Sequence, residues 1–151
     1  MSTKQLSIII PTYNYAHTLT RAVVSVVNQL NDKTELIVID DGSTDNTHDI
    51  LNKLKLQFKD KLTIYSKTNG GLAHTRNYGL IKALGEYLFF LDGDDEMCNG
   101  AVDAIHAHLL NNAAALTIGG HYSVFSNGKL KLHMPALMPE QPLKMASWLF
   151  T

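Results

Sequence analysis

The stretch LSIIIPTYN, Leu6–Asn14, sets the reading of this chain. Leu6 to Ile10 is a mainly apolar run, interrupted only by Ser7 and rich in isoleucine, the pattern of a buried strand. It stops at Pro11, and Thr12, Tyr13 and Asn14 come next as a polar cluster. The period then changes. Leu19, Ala22, Val23, Val26, Val27 and Leu30 recur at intervals of three and four, which places them on one side of a helix.

Further along the chain the alternation repeats. Leu36 to Ile39 reads as a second strand, and Ile50, Leu51, Leu54 and Phe58 mark a second helix opened by the cap-rich Ser43-Thr44-Asp45. Leu62 to Tyr65 is a third strand, and Leu72 to Leu84 a third helix behind the loop Asn69-Gly70-Gly71. Tyr87 to Leu91 is a fourth strand and Ala101 to Leu110 a fourth helix. Beyond them, Leu116 to Ile118 with Tyr122 to Phe125, and Leu130 to Met134, suggest a hairpin around Ser126-Asn127-Gly128. Such alternation predicts an α/β fold in three layers, with a mostly parallel central sheet between helices and right-handed crossovers.

The 151 residues fit one domain with a sizeable core. With 45% hydrophobic and 18% charged residues and a net charge of −1, nothing points to a nucleic-acid partner. No apolar run approaches the roughly 18 residues of a membrane span, and the first residues lack a signal peptide's apolar stretch. Cys98 is the only cysteine, so no internal disulfide forms, which suits a cytoplasmic protein, and Cys98 reads as structural. Trp148, Leu149 and Phe150 stand just before the last residue; this apolar end suggests a truncated chain, or a homodimer contact.

In open parallel sheets ligands bind outside the carboxyl ends of the strands. The residues just past each strand are therefore informative: Pro11-Thr12-Tyr13-Asn14, Asp40-Asp41-Gly42-Ser43, Ser66 to Gly71, and Asp92-Gly93-Asp94-Asp95. The last cluster carries hard oxygens suited to Mn2+ or Mg2+, ions that usually bridge to substrate phosphates, and Gly93 lets the backbone bend between carboxylates. The same residues would also serve as a turn with a helix cap. A carboxylate at Asp40 or Asp41 can accept a ring N–H or ribose hydroxyls, although Asp40 reads more simply as a cap for the next helix. Tyr13 can stack on a flat base and Asn14 can fix its loop. Arg76, near a helix start, offers a planar fork for phosphate, or a salt bridge to one of the aspartates. His106 and His108 face different sides of their helix, and the seven histidines give no metal cluster. No Gly-x-Ser-x-Gly elbow, phosphate-binding Gly-x-x-x-x-Gly-Lys loop or Gly-x-Gly-x-x-Gly fingerprint is present, which weighs against hydrolase, P-loop and dinucleotide readings.

Four segments in order, SIIIPTYNYAHTLTRAVVSVVNQ, ELIVIDDGSTDNT, NGGLAHTRNYGL and GEYLFFLDGDDE, resemble the family 2 glycosyltransferases of GT-A fold. They span Ser7 to Glu96, about two thirds of the chain. The resemblance implies a donor-binding domain in which the first loop and the Asp-Asp motif hold the nucleotide, usually uridine. The nucleotide-binding set is then Pro11, Thr12, Tyr13, Asn14, Asp40, Asp41, Gly70, Arg76, Asp92 and Gly93. The Asp-x-Asp element falls on Asp92 and Asp94, with Asp95 beside it, and would hold Mn2+ or Mg2+ on the donor diphosphate. The implied reaction is inverting transfer of a hexose or N-acetylhexosamine from a nucleotide-diphosphate sugar to a saccharide or lipid-linked acceptor, in polysaccharide synthesis for the cell envelope. It would take place in the cytoplasm or, by peripheral membrane association, at the inner face of the membrane. After Glu96 only Asp103 and Glu140 are acidic, so no general base is assigned. The alternative is a non-catalytic nucleotide-sugar-binding module or an inactive fragment of such an enzyme. A sugar-phosphate nucleotidyltransferase would need a Gly-rich basic loop where Pro11-Thr12-Tyr13-Asn14 stands.

Overall fold

The central sheet has the order β3-β2-β1-β4, with every neighbouring pair parallel. The strands are β1 (Leu6–Thr12), β2 (Thr34–Asp40), β3 (Thr63–Ser66) and β4 (Tyr87–Phe90). Helices α1 (Leu19–Val27), α2 (Thr47–Phe58), α3 (Leu72–Lys82) and α4 (Ala101–Asn111) alternate with them. A computed structural model describes residues 4–111 and 120–134, so Leu116 to Ile118, Glu140 and the apolar end at Trp148 lie outside the described residues. The chain divides into two compact units, Met1–Asn112 and Ala113–Thr151.

Side chains of a strand alternate between faces, and here both faces are covered. Leu6, Ile8 and Ile10 of β1 with Leu36 and Val38 of β2 join the buried residues of α1 and α2, and Val102 of α4 enters the same cluster. Ile9, Ile37 and Ile39 point the other way and pack with Tyr78 and Ala83, at α3 and just beyond its end. Two-sided burial explains why the central strands β1 and β2 read as mainly apolar runs rather than as alternating ones, while the edge strands β3 and β4 are only partly buried.

The strands are held at their starts by a polar staple. Glu35 Oε1 accepts the Ser7 hydroxyl at 2.5 Å and the Leu84 N–H at 2.6 Å, and Ser7 Oγ accepts the Gly85 N–H at 2.8 Å. A Cβ at Gly85 would lie 2.6 Å from the Ser7 nitrogen, so only glycine passes there. His106 adds a second anchor at this end, with Nε2 2.7 Å from Thr34 Oγ1 and Nδ1 3.0 Å from Gln5 Oε1.

Helix ends differ from expectation for local reasons. Leu30 falls outside α1, because Gln29 and Leu30 donate to carbonyls three residues back and tighten the last turn. α3 stops at Lys82, and Ala83 is already extended toward β4. α2 starts at Thr47, whose N–H is accepted by Asp45 Oδ1 at 2.9 Å. Among the described residues no helix is long and apolar enough to cross a membrane.

The second unit is described by itself. β5 (His121–Val124) and β6 (Leu130–His133) pair antiparallel, with Gly128 at a φ of 76° in the turn, as Ser126-Asn127-Gly128 predicts. The directly opposed His121 and His133 stack their rings 4.7 Å apart.

Candidate nucleotide-sugar site

The loops that follow β1 to β4 meet at the carboxyl edge of the first unit, and lateral backbone bonds fix their bases. The Asp41 N–H donates to the Thr12 carbonyl at 2.9 Å, Lys67 N–H to the Asp40 carbonyl at 2.9 Å, and Leu91 N–H to the Ile9 carbonyl at 3.0 Å. A cleft of about 350 Å³ opens there, lined by Pro11, Thr12, Tyr13, Tyr15, Asp41, Asn69, Gly71, Leu72 and Thr75.

The two aspartates at the end of β2 have different work. Asp40 is not a helix cap. Its Oδ1 accepts the Ser43 N–H at 3.0 Å and the Ser43 hydroxyl at 2.6 Å, closing its own turn. α2 begins seven residues further on than Asp40, with Asn46 at the cap position and Asp45 just before it accepting the Thr47 N–H. Asp41 lines the cleft yet is only 3% exposed. Its Oδ1 accepts the Lys67 ammonium and, at 3.0 Å, the Gly70 N–H; Oδ2 accepts the Gly71 N–H at 2.8 Å. Burial alone would raise its pKa, but Lys67, the Thr75 hydroxyl and the two glycine amides overcome that and hold it below the usual carboxylate range. Gly71 sits at a φ of +83°, in the left-handed region where glycine is favoured.

Asn14 staples the first two loops. At a φ of 57° its N–H donates to Ser43 Oγ at 3.0 Å, and its Oδ1 accepts the Thr44 N–H at 2.8 Å and, at 3.3 Å, the Asp45 N–H. Asp45 in turn accepts the Ala16 N–H at 3.2 Å. Next to this rigid corner Tyr13 is 44% exposed, a free aromatic face at the rim.

The acidic loop after β4 is positioned from three sides. Arg76 of α3 donates to Asp92 Oδ1 at 2.7 Å. Thr18 donates its hydroxyl to the Gly93 carbonyl at 2.9 Å, and a Cβ at Gly93 would lie 2.8 Å from Tyr15 Cδ2. Glu96 pairs with Arg21 at 3.0 Å on the surface. Asp94 and Asp95 are exposed, and the Asp95 N–H closes a turn on the Asp92 carbonyl at 3.0 Å. Burial first, then the charges of Asp94, Asp92 and Asp95, raise the pKa of the Tyr15 phenol. Among the described residues no group of three or more His, Cys, Asp or Glu side chains forms a metal cage.

Of the sequence candidates, Pro11, Thr12, Tyr13 and Asp41 line the cleft directly. Gly70 contributes an amide to Asp41, Asn14 and Asp40 shape the loops, and Arg76, Asp92 and Gly93 form the acidic side beyond Tyr15. Tyr15 and Lys67 belong to the site but are not marked in the sequence. Their partners lie 78 and 26 residues away, and no local pattern signals such contacts. Cys98, read as structural, is exposed.

Comparison with known proteins bears on the family and the fold. An uncharacterized glycosyltransferase of Haemophilus influenzae is 38% identical over 80% of this chain and 48% of its own length. The S. aureus TarS structure in complex with UDP-GlcNAc superimposes with a TM-score of 0.63 at 32% identity, covering 71% of this chain and 31% of that one. The mannosyltransferase PcManGT of Pyrobaculum calidifontis, in complex with GDP-Man and Mn2+, gives a TM-score of 0.65 at 28% identity over 77% of this chain and 34% of its own. The chain thus spans about half the length of the Haemophilus relative and about a third of each solved chain. The sequence model described as Glycosyl transferase family 2 matches residues 7–150. This chain therefore belongs to the family 2 glycosyltransferases and carries the GT-A architecture of their solved members.

Proposed function

We propose that the chain binds a nucleotide-diphosphate sugar, with UDP as the nucleotide, and supplies the donor half of an inverting glycosyltransferase. The observation that carries this is a buried, ionised Asp41 at the floor of a cleft whose rim presents Tyr13. The carboxylate suits a base N–H, and the ring suits the base's face. Arg76 and the acidic loop stand on the diphosphate side. Complexes of the family neighbours with UDP-GlcNAc and with GDP-Man and Mn2+ support the choice of ligand class.

The donor set fits a divalent cation of open coordination. Asp92 keeps one oxygen beside its Arg76 bond, Asp94 is exposed, and the carboxylates share one electronegative loop. Two hard oxygens with room for phosphate ligands suit Mn2+ or Mg2+ better than a closed protein cage would. A cation held by Asp92 and Asp94 would supply Lewis-acid stabilisation of the departing diphosphate. The acceptor hydroxyl would attack the anomeric carbon as the bond to the diphosphate breaks. Among the described residues no base is placed to take its proton, so acceptor binding, saccharide or lipid-linked, is assigned to chain beyond this site.

Calorimetric titration of UDP, in Mn2+ and again in EDTA, tests the reading. Binding that requires the cation supports it. Binding indifferent to the cation removes the role of Asp92 and Asp94, and absence of binding in both removes the UDP assignment. Sugar transfer to a supplied acceptor separates an enzyme from a binding module.

A further inference from the structure

We infer that Lys67 is a positioning residue for base recognition: its ammonium group locks the Asp41 carboxylate in the orientation that leaves one lone pair facing the cleft. The inference rests on the nucleotide reading above and assigns the base-selecting part of it to a residue that makes no contact with the ligand.

Lys67 comes directly after β3 and its side chain is only 9% exposed. An ammonium group has three N–H donors, and all three are directed. One goes to Asp41 Oδ1, one to the Thr68 carbonyl at 2.9 Å, and the weakest reaches Thr75 Oγ1 at 3.5 Å. A single side chain thus joins the end of β2, the loop after β3 and the first turns of α3. Lysine suits this point because a tetrahedral group can serve three directions, whereas a planar guanidinium serves one plane.

The carboxylate it holds has about four acceptor positions. Three are filled: Oδ1 takes Lys67 and Gly70, and Oδ2 takes Gly71, while the nearby Thr75 hydroxyl spends its one proton on the Gly71 carbonyl at 2.9 Å. The position left over belongs to Oδ2, on a residue that lines the cleft. A free carboxylate acceptor matches an imide N–H, which uracil presents.

Other charges near Asp41 do not replace Lys67. Asp40 is turned onto Ser43, and His74 stands beside the loop at Gly70, where an added Cβ would lie 2.9 Å from its Nδ1. Without Lys67 a buried carboxylate beside a second one gains a proton more readily. A protonated oxygen is a donor, and it meets a base N–H unfavourably.

The test combines two readouts on the whole 151-residue protein. The amide resonances of Gly70 and Gly71, followed by NMR from pH 7 to pH 3, report the titration of the carboxylate they donate to. UDP titrations at pH 5 and pH 7.5 report recognition. Lys67→Met is expected to move the amide midpoint upward by about one pH unit or more. It is also expected to weaken UDP about tenfold, more at pH 5 than at pH 7.5. Lys67→Arg keeps the charge but not the three-way geometry; it is expected to keep the low midpoint and yet weaken UDP several-fold, and unchanged UDP affinity in it overturns the inference where the methionine variant does not fold. An unchanged midpoint in a folded Lys67→Met overturns the inference whatever UDP does. A shifted midpoint with unchanged UDP affinity overturns the link between Lys67 and base recognition. If the unsubstituted protein binds no UDP, the nucleotide reading fails; the amide titration then shows separately whether Lys67 positions Asp41.

Discussion

Arg76 Nη2 stands 2.7 Å from Asp92 Oδ1, and this ion pair ties α3 to the loop after β4. The guanidinium carbon also lies 5.7 Å from the centre of the Phe90 ring. Both partners are about a third exposed or more, so the pair contributes at most about 1 kcal/mol to stability. Its larger effect is local: a fixed cation already occupies one side of a carboxylate assigned to a metal and a diphosphate.

Replacing Arg76 by alanine is therefore expected to act oppositely on the two ligands. Mn2+ alone binds several-fold more tightly, because a competing cation has gone. UDP in the presence of Mn2+ binds about tenfold more weakly, the loss of one charge-assisted hydrogen bond. Calorimetry resolves the two effects. A parallel loss of both affinities would instead assign Arg76 only to bracing the acidic loop.

Asp41→Asn and Asp94→Asn are expected to separate fold from ligand binding. The first change leaves the Lys67 ammonium buried without its counter-charge, a loss of about 3–5 kcal/mol on urea denaturation. Asp94 is exposed, and its replacement shifts stability by less than about 0.5 kcal/mol. The same Asp94 variant loses the Mn2+-dependent part of UDP binding.

Gly79 measures how closely α3 approaches the sheet. A Cβ there would lie 2.7 Å from Ile9 Cγ2. Alanine gains about 1 kcal/mol of helix propensity but overpacks the core by about 1–3 kcal/mol, so Gly79→Ala is expected to destabilise. In an Ile9→Ala background the clash is gone, and the same change stabilises. A thermodynamic cycle over the four proteins should give a coupling of about 2 kcal/mol; no coupling would mean that α3 sits further out.

His106 gives stability a pH dependence of defined sign. Burial first, then the nearby Lys33 charge, lower its pKa from the ordinary 6.5, with Asp103 opposing. The unfolded chain therefore binds a proton at higher pH than the folded one. The neutral ring's contribution is complete above pH 6.5 and is lost as pH falls from there through the lowered folded pKa. Urea midpoints at pH 7.5 and pH 5 should differ less in His106→Gln than in the unsubstituted protein. An equal difference would place the titrating group elsewhere.

Much of this is legible in the sequence because the signals are local. A strand buried on both faces leaves an apolar run, and the residues just past it must stand at the carboxyl edge; Asp41, Tyr13 and Asp92 are recognisable in that way. Helix ends are less legible. Ser43 and Asp45 both look like caps, but Ser43 is bonded to Asp40 and Asn14, Asn46 takes the cap position, and Asp45 accepts the Thr47 N–H. Lys67 and Tyr15 stay hidden because each acts on a partner brought close only by the sheet. A lysine in a polar loop looks solvated until the carboxylate beneath it is seen.

The staple of Ser7, Glu35, Leu84 and Gly85 lies at the starts of the strands, remote from the cleft. Register is thus fastened at one end of the sheet and chemistry is displayed at the other. The loops after β2 and β3 are tied to each other through Asp41, Lys67 and the Gly70 and Gly71 amides, so they vary as one unit, whereas the strand register below them is held independently. Directed evolution of the proposed sugar-nucleotide binding should therefore change those loops together and leave Glu35 alone.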